Sequence, residues 1–193
     1  MPAKELFATA ALALTVWLFW PYIRSIREGN TRPHVFSWVI WAFGTGVVFL
    51  AQLAGGAGVG AWPLGFSASV SGYVAWLAWR ARADISITRS DWLFLISALS
   101  AVPLWILTAD PLWAVVLLTG IDLAGFGPTL RKSYDDPHSE HAGFYGIGSI
   151  RNLFLVLALE KYTLTTVLFP AAVGVACAIV CALLLLRRST LTG

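Results

Sequence analysis

Seven nearly uncharged runs, each close to twenty residues long, divide this chain at 6–23, 34–54, 62–79, 91–107, 111–130, 142–159 and 164–186, the fourth being the shortest. About twenty apolar residues let an α-helix cross the hydrocarbon core of a bilayer. In lipid every backbone polar group must be satisfied within the protein, so such runs fold as helices. With 58% hydrophobic and only 12% charged residues, the chain carries about half the charge of a soluble domain. The sequence therefore predicts an all-α, multi-pass membrane protein. Its net charge of +3 is a topology signal before it is a nucleic-acid signal, because basic residues beside apolar spans are retained in the cytoplasm. Arg24, Arg27, Arg32, Arg80, Arg82, Arg89, Arg131, Lys132, Arg187 and Arg188 fall on one side of a seven-span path, Lys4 and Lys161 on the other. This places the N-terminus outside and the C-terminus inside. The first run leads into Trp20, Pro21 and Arg24 without a small-residue cleavage site, so it reads as a retained helix.

The chain also repeats itself at an offset of 107 residues. Pro21 recurs as Pro128, Arg24 as Arg131, His34 as His141, Pro63 as Pro170 and Arg80 as Arg187, and no gap is needed. Phe19, Ile40, Leu50, Ala75 and Leu77 recur as Phe126, Ile147, Leu157, Ala182 and Leu184. Prolines and arginines at matching ends of three consecutive spans argue for a duplicated three-helix unit. Three is odd, so a linking helix is needed for the second copy to share the orientation of the first, which makes the repeats parallel. The expected organisation is a first repeat over 1–83, a linker helix over 84–110 and a second repeat over 111–193.

With Pro21 and Pro128 ending spans one and five ahead of basic loops, and G-N-T-R-P leading into span two, nearly the whole chain resembles the PQ-loop and SWEET superfamily of small-solute transporters. The residue after each proline, glutamine in the motif that names the family, is Tyr22 in the first copy and Thr129 in the second. The resemblance implies a three-plus-one-plus-three arrangement of helices and transport of a small polar solute such as a sugar or vitamin.

Among residues able to carry chemistry, Asp122 in span five and Arg151 in span six are the most informative. A charge near mid-bilayer costs about 3 kcal/mol even on the mildest insertion scale, so such groups face a bundle interior or a water-filled cavity. Each lies eight or nine residues in from the cytoplasmic end of its span, which at 1.5 Å per residue is about 12–14 Å deep. Two readings are open. In one, Asp122 takes up a proton or binds a cationic group while Arg151 holds a counter-charge; in the other they form a static buried ion pair. Asn152, Thr119, Gln52, Thr45, Tyr73 and the serines at 67, 69 and 71 supply uncharged donors and acceptors. The three serines cannot share one helix face, so one or two reach a cavity, and packing of small residues is the expected role of the rest.

Of ten tryptophans, Trp62, Trp79, Trp92 and Trp113 sit at span ends, as in an aromatic belt. Trp17, Trp38, Trp41, Trp76 and Trp105 are deeper, and Trp38 and Trp41 stand i, i+3, where indole faces can stack on a ring or hold a cation. None follows Trp113, so a cavity is expected to be aromatic on the side of the first repeat and charged on the side of the second. Pro21 and Pro128 are read either as paired hinges of a cytoplasmic gate or as helix terminators. Pro63 and Pro170 fit the first turn of their helices, where proline costs little, and Pro103 has no repeat partner.

Cys177 and Cys181, spaced i, i+4 in the last run, are expected as small packing residues. His138, Glu140 and His141 fall in a loop beside Asp135 and Asp136 and read as part of a solvated charge cluster rather than a metal site. No span contains a lysine, which excludes a Schiff-base chromophore, and no H-E-x-x-H, G-x-S-x-G or phosphate-cradling loop supports an enzyme.

Together these features predict a carrier, either a facilitator or proton-coupled, built for alternating access. Trp38, Trp41, Asn152, Asp122, Arg151 and Tyr73 would contact the solute, and Pro21 and Pro128 would act as hinges. No cofactor is expected. The expected partners are a small-molecule solute and the lipid bilayer, with room for proton coupling and a homo-oligomer, and no nucleic acid. The content of Ala, Gly, Trp and Arg points to a bacterial plasma membrane. The competing reading is a non-transporting seven-helix sensor, scaffold or partner subunit that keeps the same fold.

Overall fold

The computed structural model describes residues 2–81, 87–138 and 140–191, so Arg82 and the 83/84 repeat boundary lie outside the described residues. The described chain is all helix: α1 (Pro2–Arg27), α2 (Val35–Ala54), a 3₁₀ turn (Gly58–Ala61), α3 (Trp62–Arg80), α4 (Arg89–Leu99), α5 (Ala101–Thr108), α6 (Pro111–Asp135), α7 (Ala142–Ala158) and α8 (Leu164–Leu191). With α4 and α5 taken as two halves of one span, seven helices cross the bundle. Five of these, α1, α2, α4–α5, α6 and α8, are long and apolar enough to cross a membrane. Of the other two, α3 is diluted by three serines, and α7 is apolar but only 17 residues long.

Local chemistry sets several boundaries. The Thr88 side chain accepts from the Asp91 backbone N–H while the Asp91 carboxylate accepts from the Thr88 N–H at 2.7 Å, a reciprocal cap that starts α4. Asp110 caps α6 through the Leu112 N–H at 2.9 Å, with Pro111 in the first turn. The fourth span is broken at Ser100, which the hydropathy pattern does not reveal. Pro103 has no N–H to offer the carbonyl of Leu99, and the Ser100 hydroxyl donates to the Ser97 carbonyl at 2.7 Å.

Pro63 lies in the first turn of α3 as expected, but Pro170 lies inside α8 and not in its first turn. The helix starts earlier because Thr163 and Thr166 cap it reciprocally. The Thr166 N–H donates to the Thr163 hydroxyl at 3.3 Å and the Thr163 N–H to the Thr166 hydroxyl at 2.9 Å. Nor does α1 stop at Pro21, since it continues to Arg27, and α6 likewise runs through position 128 to Asp135. Neither proline terminates its helix.

In the packing, α3 touches both α1 and α2, and α8 touches both α6 and α7. Between these groups α1 packs on α7 and α2 on α6, while α4 and α5 lean on α2 and α6. The main core gathers small and branched residues from all of these helices, including Ala11, Val48, Leu64, Ala98, Ala114, Val115 and Leu155. Small residues bring α7 and α8 close together. A Cβ on Gly148 would meet Cys177 Sγ at 3.3 Å, one on Gly146 would meet Cys181 Sγ at 3.4 Å, and one on Gly174 would meet Asn152 Cβ at 3.0 Å. Both thiols are free and serve as small packing groups between α7 and α8.

Lys4, the 55–61 segment and Glu160 meet at one end of the bundle, where the Lys4 ammonium donates to the Glu160 carbonyl at 3.1 Å. Arg187 and Arg188 meet the 134–140 segment at the other end through bonds to the carbonyls of Tyr134, Pro137 and Glu140. These are called below the lysine end and the arginine end. Exposed tryptophans ring both: Trp62 and Trp113 near the first, Trp20, Trp79 and Trp92 near the second.

Candidate functional site

Between the two groups of helices lies a cavity of about 310 Å³. Its wall takes Phe19 from α1, Trp38, Trp41 and Thr45 from α2, and Leu64, Ser67 and Ser71 from α3. The other side is made by Asp122, Gly125, Phe126 and Thr129 of α6, Phe144, Tyr145, Arg151 and Asn152 of α7, and Phe169 and Val173 of α8. Five of the six expected solute contacts, Trp38, Trp41, Asn152, Asp122 and Arg151, thus lie on one cavity. Tyr73 does not line it: it is exposed on α3 and stacks on Trp76 at 5.7 Å.

Helical phase explains that separation. Ser67 and Ser71 stand i, i+4 on the face turned to the cavity, whereas Ser69 and Tyr73 stand i, i+4 on the opposite face. The Ser69 hydroxyl bonds back to the Gly65 carbonyl at 3.0 Å. Gln52 and Thr119 are buried away from the cavity. Gln52 Nε2 donates to the Thr166 carbonyl at 2.7 Å and the Thr119 hydroxyl to the Val115 carbonyl at 2.6 Å.

The two charges are not paired with each other. The ion pairs among the described residues include Arg24–Glu28, Arg131–Asp135 and Lys132–Glu140, His34 stands 3.9 Å from the Asp91 carboxylate, and none of these contacts includes Asp122 or Arg151. Instead Arg151 Nε donates to the Thr15 hydroxyl at 2.6 Å, and that hydroxyl donates in turn to the Ala11 carbonyl at 2.8 Å. The Nη2 nitrogen of Arg151 is buried without a hydrogen-bond partner, and so is the amide oxygen of Asn152, whose Nδ2 donates to the Gly148 carbonyl at 2.8 Å. A buried guanidinium nitrogen left bare costs several times what its hydrogen bond would contribute, so each orphan marks a place where a further acceptor or donor is expected.

The tryptophans are set by a cluster. Trp38 stands edge-on to Trp41 with centroids 5.2 Å apart, and Phe19 and Tyr22 pack on Trp38 at 6.0 Å and 5.3 Å. Against expectation, the aromatic wall is not confined to the first half of the chain. Phe126, Phe144, Tyr145 and Phe169 line the second side, because phenylalanine and tyrosine there take the place of tryptophan. Trp17 and Trp76 face outwards, 70% and 45% exposed.

The cavity is continuous in its lining with two grooves toward the arginine end. One of about 570 Å³ shares Phe19, Trp38, Trp41 and Phe144 with it and reaches Arg32, His34 and Glu140. The other, about 520 Å³, runs past Pro21, His141 and Phe144. The lysine end is sealed. There Ala57, Ala61 and Leu159 are fully buried together, the Glu160 N–H donates to the Ala57 carbonyl at 3.0 Å, and the Val59 N–H donates to the Glu160 carboxylate at 3.2 Å. Gly60 permits this closure: a Cβ on it would stand 2.7 Å from backbone atoms of Ala158 and Leu159. Glu140 is engaged by Lys132 at 2.9 Å and by the Tyr145 hydroxyl at 3.2 Å.

Compared with protein-family models, with curated proteins and with solved structures, the chain finds no match.

Proposed function

We propose that this protein is a carrier of a small polar solute that works by alternating access. The observation that carries the reading is a central cavity holding two unpaired, opposite charges, open in its lining toward one end and sealed at the other by contacts between the two halves. Such a cavity needs only the relative tilt of the halves to change the side it faces.

The 107-residue repeat supports the same reading. At that offset Phe19 corresponds to Phe126, Trp38 to Tyr145 and Thr45 to Asn152, and all six line the cavity. The contact of α1 with α7 corresponds to that of α6 with α2, and in each half the third helix sits against the first and second. These correspondences favour two parallel three-helix repeats joined by α4–α5, around an axis that passes through the cavity. This is the arrangement expected of a SWEET-like carrier. With the arginine end in the cytoplasm of a plasma membrane, the sealed lysine end faces outwards. The helices run on past positions 21 and 128, which favours hinges over terminators.

The test is counterflow in proteoliposomes with sugars, nucleosides, vitamins and amino acids. Saturable exchange of one class is expected. Absence of exchange for every class by folded protein would leave the fold to a sensor, scaffold or partner subunit.

A further inference from the structure

We propose that the cavity takes a small zwitterion, its anionic group held by the guanidinium of Arg151 and its cationic group by the carboxylate of Asp122. The assignment names the substrate class of the carrier reading above, and rests on that reading for transport though not for binding.

The argument begins with how the two charges are placed. At the 107-residue offset Asp122 corresponds to Thr15, and Arg151 corresponds to Gly44. Where α1 meets α7, Arg151 is faced by the uncharged Thr15 hydroxyl. Where α2 meets α6, Asp122 shares a small void with Gly44, which has no side chain to offer it. Each helix pair therefore supplies one charge and an uncharged partner. The opposite charges stand on different helices of one cavity wall and do not pair with each other.

A buried charge without an opposite partner is costly, and removing it from water is compensated only by close, hydrogen-bonded pairing. A sugar offers hydroxyls to both groups but no charge. A simple cation answers Asp122 and leaves Arg151 bare, and a simple anion does the reverse. A zwitterion answers both and keeps the loaded cavity neutral. Thr15 occupies Nε of Arg151 and Nη2 is buried without a partner, so the guanidinium is oriented and carries an unmet donor that a carboxylate would satisfy. Trp38 and Trp41 add indole faces suited to an ammonium or an apolar side chain. The volume of about 310 Å³ suits a molecule of amino-acid size.

The experiment is equilibrium binding to the purified full chain, read by its intrinsic tryptophan fluorescence and by calorimetry. The probes are the proteinogenic amino acids, glycine betaine and taurine, with glucose and uridine as neutral comparisons. For the best amino acid with an uncharged side chain, the methyl ester keeps only the cation and the N-acetyl derivative only the anion. The expected result is saturable binding of a zwitterion and a loss of about tenfold or more for each derivative. Asp122→Asn should abolish the preference over the N-acetyl form, and Arg151→Gln the preference over the ester. Asp122→Glu and Arg151→Lys, which keep the charges, guard against mere misfolding by retaining part of each preference. No zwitterion bound by folded protein, tighter binding of a neutral probe, or derivatives bound as well as the parent would overturn the proposal. Counterflow of a sugar would overturn it while leaving the carrier reading intact. Zwitterion binding without counterflow would do the opposite.

Discussion

The guanidinium of Arg151 on α7 is tied to the hydroxyl of Thr15 on α1 by a hydrogen bond of 2.6 Å. This single contact fixes the direction of the only charged donor that the described residues place in the cavity wall, and joins a helix of the first half to one of the second. Thr15 itself is fully buried.

Replacing Thr15 by Val should leave Nε of Arg151 bare, at a cost of about 1–3 kcal/mol. Thermal unfolding in detergent should show the loss, and uptake should fall with it. Thr15→Ser keeps the oxygen and should restore most of both. An unchanged melting temperature in Thr15→Val would mean that the bond contributes nothing.

The seal at the lysine end depends on Gly60. Gly60→Ala would press a methyl group into the backbone of Ala158 and Leu159, and overpacking of this kind costs about 1–3 kcal/mol. The two halves should separate at that end. A membrane-impermeant thiol reagent should then reach a cysteine placed at Thr45 more readily from the lysine side than it does without the substitution.

Serines at 67, 69 and 71 separate cavity from lipid on one helix. Ser71→Phe should fill the cavity and end uptake without unfolding the protein. Ser69→Phe, on the opposite face, should leave uptake intact, and Ser69→Ala should shift stability by no more than about 0.5 kcal/mol. Equal effects at 69 and 71 would contradict the assigned faces.

Cys177 packs on Gly148 and Cys181 on Gly146. Cys177→Leu should overpack the α7–α8 contact and cost about 1–3 kcal/mol. Joint Cys177→Ala and Cys181→Ala replacement should retain folding and uptake, as judged by unfolding temperature and proteoliposome assays.

Much of this fold is legible in the sequence for a physical reason: lipid demands long apolar helices, and it makes a buried charge rare enough to stand out. Asp122 and Arg151 are therefore legible as cavity residues, and Asn152, Trp38 and Trp41 stand out beside them as polar or indole groups deep in apolar runs. What was not visible depends on finer forces. Hydropathy carries no trace of the break at Ser100 or of the Thr163–Thr166 cap that moves Pro170 inside α8, since both are hydrogen-bond effects within apolar runs. Tyr73 was placed by its residue type, but its phase relative to Ser71 turns it outwards. The second aromatic wall was hidden because Phe126 was read as a repeat match only, and Tyr145 does not share the identity of Trp38.

A carrier of this kind exposes one cavity to the two sides of the membrane in turn. Thr45 lines that cavity, so Thr45→Cys, made together with Cys177→Ala and Cys181→Ala, reports on its exposure. Labelling with an impermeant maleimide should proceed from the outside in right-side-out vesicles and from the inside in inverted ones, with a transported solute slowing both. Labelling from one side alone under every condition would contradict alternating access.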